Sequence, residues 1–178
     1  VGEIADIDTE KRNTERLRKK AQLDPLTGLY NASSARKRIE ACLRQPPGAG
    51  MHVLAVIDVN HFKQINDTCG HLTGDHALIE TARRLSAMLN EGDIAGRIGG
   101  DEFIALFRDV PSRDALERRI GELRRGLSFP LPDGLSMSAS IGMAAFPDDA
   151  ADYTGLFRMA DASMYAEKRH RGEDVKGD

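Results

Sequence analysis

The fold is decided by residues 94–107, which read IAGRIGGDEFIALF. The apolar runs Ile94–Ile98 and Phe103–Phe107 flank a glycine-bearing turn, and this pattern is typical of a β-hairpin. A third strand is predicted over His52–Val59, a short run rich in β-branched residues with Asp58 near its end. If that strand lies beside the hairpin, Asp58 and Asp101 meet at one edge of a sheet.

Helices and one further strand are predicted outward from these strands. The further strand covers Met137–Met143, where apolar and small polar residues alternate, which indicates one buried face. Apolar residues at helical spacing predict the helices, which run from Asn31 to Leu43, from Phe62 to Gly70, from after Gly74 to Leu89, from Leu116 to Leu123 and from Leu156 toward Lys168. The order of elements predicts the α+β class, with a central, mainly antiparallel sheet flanked by helices.

Composition limits the classes of protein that fit. The 178 residues carry a net charge of -3, whereas general nucleic-acid binders usually carry a strong basic excess, so no nucleic-acid partner is expected. The longest apolar run, Val53–Ile57, is far shorter than the ~20 residues that span a bilayer, so we expect no membrane contact by this fragment. Two cysteines are too few for a disulfide framework, which favours a reducing cytoplasm.

The domain organisation follows from charge and motif placement. Residues 1–22 are dense in alternating charge and predict an N-terminal linker helix that arrives from an upstream domain. The globular domain is predicted over 23–172, with 173–178 as a C-terminal tail or the start of another linker. The chain begins at Val1 without a methionine, so we interpret it as a piece of a longer protein.

The two carboxylates Asp58 and Asp101 suggest chemistry. Converging carboxylates form a hard oxygen site suited to Mg²⁺, which usually binds one or two carboxylates together with substrate phosphates. Gly99 and Gly100 have no side chains, so a bulky ligand can approach the backbone there. This pattern favours metal-assisted phosphoryl or nucleotidyl transfer.

Several blocks together resemble the GGDEF family of diguanylate cyclases, in the family's order, from about Leu23 to Lys168. The blocks are Asp24-Pro25-Leu26-Thr27-Gly28-Leu29-Tyr30-Asn31, Asp58-Val59-Asn60-His61-Phe62-Lys63-Gln64-Ile65-Asn66-Asp67, Gly70-His71 with Gly74-Asp75, Arg97-Ile98-Gly99-Gly100-Asp101-Glu102-Phe103, Ser140-Ile141-Gly142, and Ala160-Asp161 with Met164-Tyr165. The resemblance implies a palm-like nucleotidyl cyclase fold and the condensation of two GTP into cyclic di-GMP plus two pyrophosphates. It also implies Mg²⁺ or Mn²⁺ as cofactor, a homodimer for catalysis, an upstream sensory or regulatory domain and a possible downstream phosphodiesterase domain.

The resemblance also implies roles for the residues that match the family's motifs. Asp58, the Val59 carbonyl and Asp101 would bind the metal, and Asp101 and Glu102 would be catalytic, with Glu102 the candidate base for the 3′-hydroxyl. The residues implied for GTP are Asn66 and Asp75 for guanine, the amides of His61 and Phe62 with Lys63 for phosphates, and Lys168 for the terminal phosphate. Without the resemblance, Asn66 and Asp75 could cap turns, and Lys63 and Lys168 could be solvated helix charges.

Three departures from the family pattern stand out. Asn60 replaces an aspartate often found beside the metal ligands. Asn90 occupies the arginine position of the family's inhibitory product site and leaves Asp93 alone there, so we expect weak product inhibition. Gly172 occupies the position of a phosphate-binding arginine, for which Arg169 or Arg171 could substitute. This last change keeps open an alternative function: a non-catalytic, GTP-binding regulatory module that controls an attached output domain.

Overall fold

The structure is a computed structural model that describes residues 9–14, 17 and 21–170. The strands are β1 (Tyr30–Asn31), β2 (Met51–Val59), β3 (Ile94–Arg97), β4 (Glu102–Val110), β5 (Phe129–Pro130), β6 (Ser136–Met137) and β7 (Ala139–Phe146). The helices are α1 (Ala32–Leu43), α2 (Phe62–Cys69), α3 (His71–Ala87), α4 (Arg113–Gly126) and α5 (Tyr153–His170). Residues 9–14, 17 and 21 are helical and residue 22 lies in a turn, whereas the remaining residues of the linker predicted over 1–22 and the tail predicted over 173–178 lie outside the described residues.

The sheet has the order β1-β3-β4-β2-β7. β1 runs parallel to β3, and every other neighbouring pair is antiparallel, which confirms the predicted sheet. β2 lies between β4 and β7, and its register places Asp58 opposite Glu102 on one side and Ser140 on the other. A central strand therefore carries the carboxylate that the sequence singles out.

Helices cover both faces of the sheet, which is why every residue of β2 is buried. On one face Val53, Ala55 and Ile57 belong to a core that includes residues of α2, α3 and α4. On the other face Leu54 and Val56 pack with residues of α1 and α5. None of the helices in the described part of the chain is long and apolar enough to cross a bilayer.

The prediction of a single buried face for the last long strand is wrong. Ser140 and Gly142 are buried along with the apolar residues of β7, because α5 covers the face that the alternating pattern assigns to solvent. The helix lies directly against the strand at Gly142, where a Cβ would stand 1.9 Å from the carbonyl oxygen of Ala160. Small residues here allow close packing of helix on sheet.

His52, at the start of β2, is a buried histidine whose protonation should affect stability. Its ring is 2% exposed and stacks on Phe146 with 6.1 Å between centroids, and its Nδ1 accepts a hydrogen bond of 3.2 Å from the Asp109 amide. Burial lowers the pKa of His52 below its usual 6.5. The neutral ring is therefore the form that the folded state favours.

We predict that the free energy of unfolding falls as pH drops below about 6.5, by up to ~1.4 kcal/mol per pH unit from this residue. The unfolded chain binds the proton first, so the loss begins at the unfolded pKa and ends below the folded one. The variant His52→Gln keeps an acceptor but cannot titrate, and its stability should be flatter between pH 5 and 7. Urea unfolding across this range provides the comparison, and equal slopes for both proteins would contradict the prediction.

Candidate active site

The two carboxylates predicted to converge do lie at the same edge of the sheet. Asp58 is 2% exposed near the end of β2, and the amide of the next residue, Val59, donates a hydrogen bond of 3.0 Å to the carbonyl of Asp101. Asp101 itself is half-buried in the hairpin turn. The β2–β4 pairing therefore brings the segments 58–59 and 101–102 into direct contact, as the sequence predicts.

Lys168 contacts the same edge from the last turn of α5. Its Nζ donates a hydrogen bond of 2.6 Å to Asp58 Oδ1, and the two side chains are only 7% and 2% exposed. Asp58 shares the face of Leu54 and Val56, which α5 covers, and this orientation places the carboxylate within reach of the helix. The interpretation of Lys168 as a solvated helix charge is therefore wrong. Arg169 is exposed, and Arg171 lies outside the described residues.

The oxygen donors at this edge fit a magnesium ion. No group of three or more His, Cys, Asp or Glu side chains within residues 9–14, 17 and 21–170 is arranged to hold a metal. Mg²⁺ does not need such a cage, because it commonly binds one or two carboxylates and completes its shell with water and nucleotide phosphates. Asp58, the Val59 carbonyl and Asp101 supply oxygen atoms of this kind, and Asp58 Oδ1 is in contact with the Lys168 ammonium.

Asn60 fixes the chain as it leaves β2. Its side-chain amide donates to the Ser138 hydroxyl at 3.0 Å and accepts from the Ser140 hydroxyl at 2.7 Å, and its backbone amide donates to the Ser138 carbonyl. The residue is 3% exposed. An asparagine in place of the more common aspartate is thus neutral, with both its side-chain nitrogen and its side-chain oxygen hydrogen-bonded at a buried position, which avoids the cost of burying another charge.

The hairpin turn is held by Arg97, an arginine that belongs to one of the sequence blocks that resemble the family. Arg97 donates to the carbonyl of Gly99 at 3.2 Å and to that of Gly100 at 2.8 Å. Its Nη1 also lies 3.2 Å from Asp24 Oδ2, and the same carboxylate accepts from the amide and hydroxyl of Thr27. A Cβ at Gly99 would stand 2.6 Å from Glu102 Oε2, so any side chain there would displace the Glu102 carboxylate.

Asp24 therefore links the first residues of the globular domain to the turn that carries Asp101. Burial of Asp24 tends to raise its pKa, but the hydrogen bonds from Thr27 and the charge of Arg97 outweigh it and hold the pKa below the usual value. The spacing Asp24-x-x-Thr27 is the one sequence signal for this role, since aspartate commonly accepts from the amide three residues on.

We predict that Asp24→Asn lowers by about tenfold the GTP turnover that the family resemblance implies, because a neutral amide holds Arg97 less firmly than a carboxylate does. Thr27→Val removes one hydrogen bond to Asp24 without touching Arg97 and serves as the matched control. Steady-state kinetics should show the Asp24→Asn effect in kcat more than in KM. Equal effects of the two substitutions would contradict the prediction.

The residues predicted to bind phosphates lie at the start of α2. His61 precedes the helix in the left-handed conformation, with φ of 53°, and its carbonyl accepts from the amide of Ile65 at 3.0 Å. Lys63 is exposed in the first turn, and Phe62 is partly buried against the core. The first amides of a helix have no partner within the helix and can bind an anion, so the location suits the predicted role.

Asn66 and Asp75, predicted to bind guanine, lie on the packed pair α2 and α3, and the packing depends on a glycine. Asn66 Oδ1 is buried and has no hydrogen-bond partner among the described residues. A Cβ on Gly74 would stand 1.9 Å from that oxygen. Capping of a turn by the Asn66 side chain is therefore not what the structure shows. Asp75 is half-buried, next to Gly74.

The prediction that the second helix of this pair begins after Gly74 is wrong, because α3 begins at His71 and includes the glycine. Treating the glycine as a helix breaker caused the error. A glycine inside a helix costs about 1 kcal/mol relative to alanine, so its presence indicates a close approach that needs it. Here the close approach is the side chain of Asn66.

Asp93, the remaining residue of the predicted inhibitory site, is turned inward. Its carboxylate accepts hydrogen bonds of 2.8 Å from the amides of both Asn90 and Arg108, and it lies 3.8 Å from an Arg119 nitrogen. The side chain is 2% exposed. Asp93 thus closes the turn before β3 and has little capacity to receive an external ligand.

Comparisons with known proteins match this chain to one family. The family model described as diguanylate cyclase, GGDEF domain, matches residues 21–174. Diguanylate cyclase DgcN of Escherichia coli is 36% identical over 170 residues, which cover 93% of this chain and 41% of DgcN. Cyclic di-GMP phosphodiesterase PdeR of the same organism is 34% identical over 166 residues, 92% of this chain and 25% of PdeR. This chain therefore spans less than half of either relative.

A solved structure resembles the whole arrangement. It contains the coiled coil and GGDEF domain of DgcB from Caulobacter crescentus in complex with c-di-GMP, and it matches 95% of this chain and 92% of its own with a TM-score of 0.84 and 26% identity. The mixed sheet with helices on both faces is accordingly the palm-like α+β fold. The family match over residues 21–174 leads to one conclusion: this chain belongs to the GGDEF family of diguanylate cyclases.

Proposed function

We propose that the chain is a diguanylate cyclase that condenses two GTP into cyclic di-GMP with release of two pyrophosphates. The observation that carries the proposal is the pairing of Asp58–Val59 with Asp101–Glu102 at one edge of the sheet, with the glycine turn intact. Each protomer of a homodimer binds one GTP, and the 3′-oxygen of each nucleotide attacks the α-phosphorus of the other. Each attack forms one phosphodiester bond, expels one pyrophosphate and releases one proton.

In this proposal Asp58, the Val59 carbonyl and Asp101 would hold Mg²⁺ or Mn²⁺. The bound ion would supply positive charge that neutralises the triphosphate and so would favour in-line displacement. Glu102 lies opposite Asp58 in the register and accepts the proton of the 3′-hydroxyl. Arg97 fixes the carbonyls of the turn, so that Asp101 and Glu102 are presented in one arrangement.

The nucleotide is held by the two helices that follow β2. The free amides at His61 and Phe62, together with Lys63, bind phosphate oxygens at the start of α2. Asp75 accepts from N1–H and the amino group of guanine, donors that adenine does not offer in this pattern, and Asn66 contributes its buried amide. Lys168 binds the terminal phosphate. An upstream sensory or regulatory domain would control the dimer, and a downstream phosphodiesterase domain would be a further output.

Incubation with GTP and Mg²⁺, followed by chromatographic separation, tests the proposal. We expect cyclic di-GMP and two equivalents of pyrophosphate, with a rate per protomer that rises with protein concentration as dimers form. ATP should give no cyclic product. GTP that remains unconverted at a protein concentration where light scattering shows a dimer would contradict the proposal.

A second function is a non-catalytic GTP-binding module that regulates an attached domain. The match to PdeR favours it, because a protein named a phosphodiesterase contains a segment 34% identical to this chain. The glycine at position 172 also favours it. Calorimetry with GTP separates the two functions: tight binding without turnover in a confirmed dimer supports the module, and turnover supports the cyclase.

A further inference from the structure

The ion pair between Lys168 and Asp58 carries an inference that rests on the proposed function and concerns the order in which its ligands bind. Two charged side chains that are 7% and 2% exposed form a contact of 2.6 Å. Lysine is almost never fully buried unless it is paired, and a carboxylate without a counter-ion is still more costly to bury. Each charge therefore makes the burial of the other possible.

The two residues of this pair have proposed roles that neither can fulfil while they are in contact with each other. Asp58 is a proposed ligand of the metal, and Lys168 is a proposed ligand of the terminal phosphate. An ammonium hydrogen-bonded to Asp58 neutralises the charge that would attract a divalent cation, and two cations close to one carboxylate repel each other. The ammonium and the metal therefore compete for Asp58.

Of the two residues, Lys168 is the one that is able to move. Asp58 lies on the central strand, with its backbone paired to β4 and to β7. The backbone of α5 is fixed too, because the helix packs without a gap on Gly142 and because Glu167 forms an ion pair of 2.5 Å with Arg124. The four-carbon chain of Lys168 is flexible, so its ammonium can leave Asp58 while the helix stays in place.

We infer that Lys168 is an internal counter-ion that neutralises Asp58 before the metal and nucleotide arrive, and that is displaced from Asp58 toward the triphosphate when they bind. The same positive charge is then used twice, first on a carboxylate and then on a phosphate. The consequence is coupling: binding of the metal releases the lysine that the nucleotide needs. When the metal binds without nucleotide, part of its binding free energy is used to displace the ammonium. Its affinity is therefore lower than Asp58 and Asp101 would otherwise allow.

The inference is tested by titrating the whole chain with Mn²⁺ in the absence of nucleotide at pH 8 and measuring the bound metal by electron paramagnetic resonance. Lys168→Met removes the competing charge and should raise the affinity for Mn²⁺ by about tenfold, because like-charge repulsion is strong at a buried site. The same variant should bind a non-hydrolysable GTP analogue more weakly in the presence of Mn²⁺. Lys63→Met is the matched control: it removes one positive charge from an exposed position and should leave the affinity for Mn²⁺ within about twofold.

The wild-type chain gives a second measurement that does not depend on the folding of a variant. Acetylation of lysines by an N-hydroxysuccinimide ester, quantified by mass spectrometry, should be slow at Lys168 without metal and several-fold faster with Mn²⁺. The exposed Lys63 should react at the same rate in both conditions. Unchanged reactivity of Lys168 in the presence of bound Mn²⁺ would overturn the displacement.

These outcomes separate the inference from the proposed function. The counter-ion role is wrong, while the metal site stands, if three results are found together. These are that Mn²⁺ binds to the wild type, that Asp58→Asn abolishes the binding, and that Lys168→Met leaves the affinity for Mn²⁺ unchanged. If neither the wild type nor Lys168→Met binds Mn²⁺ through Asp58, the proposed metal site is wrong and the inference falls with it. A rise in affinity that is confined to Lys168→Met supports both.

Discussion

Replacing Asp58 by asparagine should abolish turnover and also destabilise the fold, whereas replacing Asp101 by asparagine should abolish turnover alone. Both substitutions remove a carboxylate that we propose binds the metal, and we expect a loss of kcat of about 10³-fold or more in each, corresponding to several kcal/mol of transition-state stabilisation. The two variants differ in their effect on stability because Asp58 has a buried partner, Lys168. Asp58→Asn leaves the ammonium of Lys168 buried without a counter-ion.

The stability effect of Asp58→Asn should be about 3–5 kcal/mol, because removing one member of a buried ion pair strands the other charge. Asp101 is half-buried in a turn, and Asp101→Asn should change the free energy of unfolding by less than about 1 kcal/mol. Urea unfolding of the two variants measures the difference. The double variant Asp58→Asn with Lys168→Met should recover part of the lost stability, and a failure to recover any would contradict the assignment of the cost to the stranded charge.

Replacing Gly74 by alanine should weaken GTP binding without removing any group that contacts the nucleotide. The added Cβ would lie 1.9 Å from Asn66 Oδ1 and 2.9 Å from Asn66 Cγ, so the Asn66 side chain must move. We expect KM for GTP to rise about ten- to hundredfold while kcat changes little, since the proposed contact of Asn66 to the base is lost and the proposed metal ligands are unchanged.

Gly121→Ala provides the matched control for Gly74→Ala. Gly121 also lies inside a helix, α4, and a Cβ there would meet only the flexible end of Arg125 at 3.3 Å. This control should be neutral or more stable by up to about 1 kcal/mol, with unchanged kinetics. Discrimination between GTP and ITP, which lacks the amino group of guanine, should fall in Gly74→Ala alone. Unaltered KM in Gly74→Ala would show that Asn66 does not bind the base.

Much of the fold could be predicted from local patterns. The hairpin at 94–107 combines two apolar runs with a glycine-bearing turn, and the nearly continuous apolar run at His52–Val59 predicts a buried strand. Asn31 was expected to begin a helix, and its side chain does accept a hydrogen bond from the amide of Ser34. These signals are local, so the rest of the chain is not needed to interpret them.

What could not be predicted depends on residues far apart in sequence. The partner of Lys168 is 110 positions away, and the partner of Arg97 is 73 positions away, so no spacing rule connects either pair. The alternating pattern of the last long strand predicted one exposed face, because nothing in the strand itself shows that α5 covers Ser140. The glycine at 74 was interpreted as a breaker for the same reason: its partner, Asn66, lies on another helix.

The inward orientation of Asp93 has a consequence for how a cell would use a cyclase of this kind. An enzyme that is inhibited by its own product slows as that product accumulates, and this inhibition sets an upper limit on the product concentration. With Asp93 occupied by the amides of Asn90 and Arg108, we expect this limit to be weak. The steady-state level of the messenger would then be set by the supply of GTP, by the upstream signal and by the rate of its degradation. A cell that uses such a cyclase would need a hydrolase that degrades the messenger.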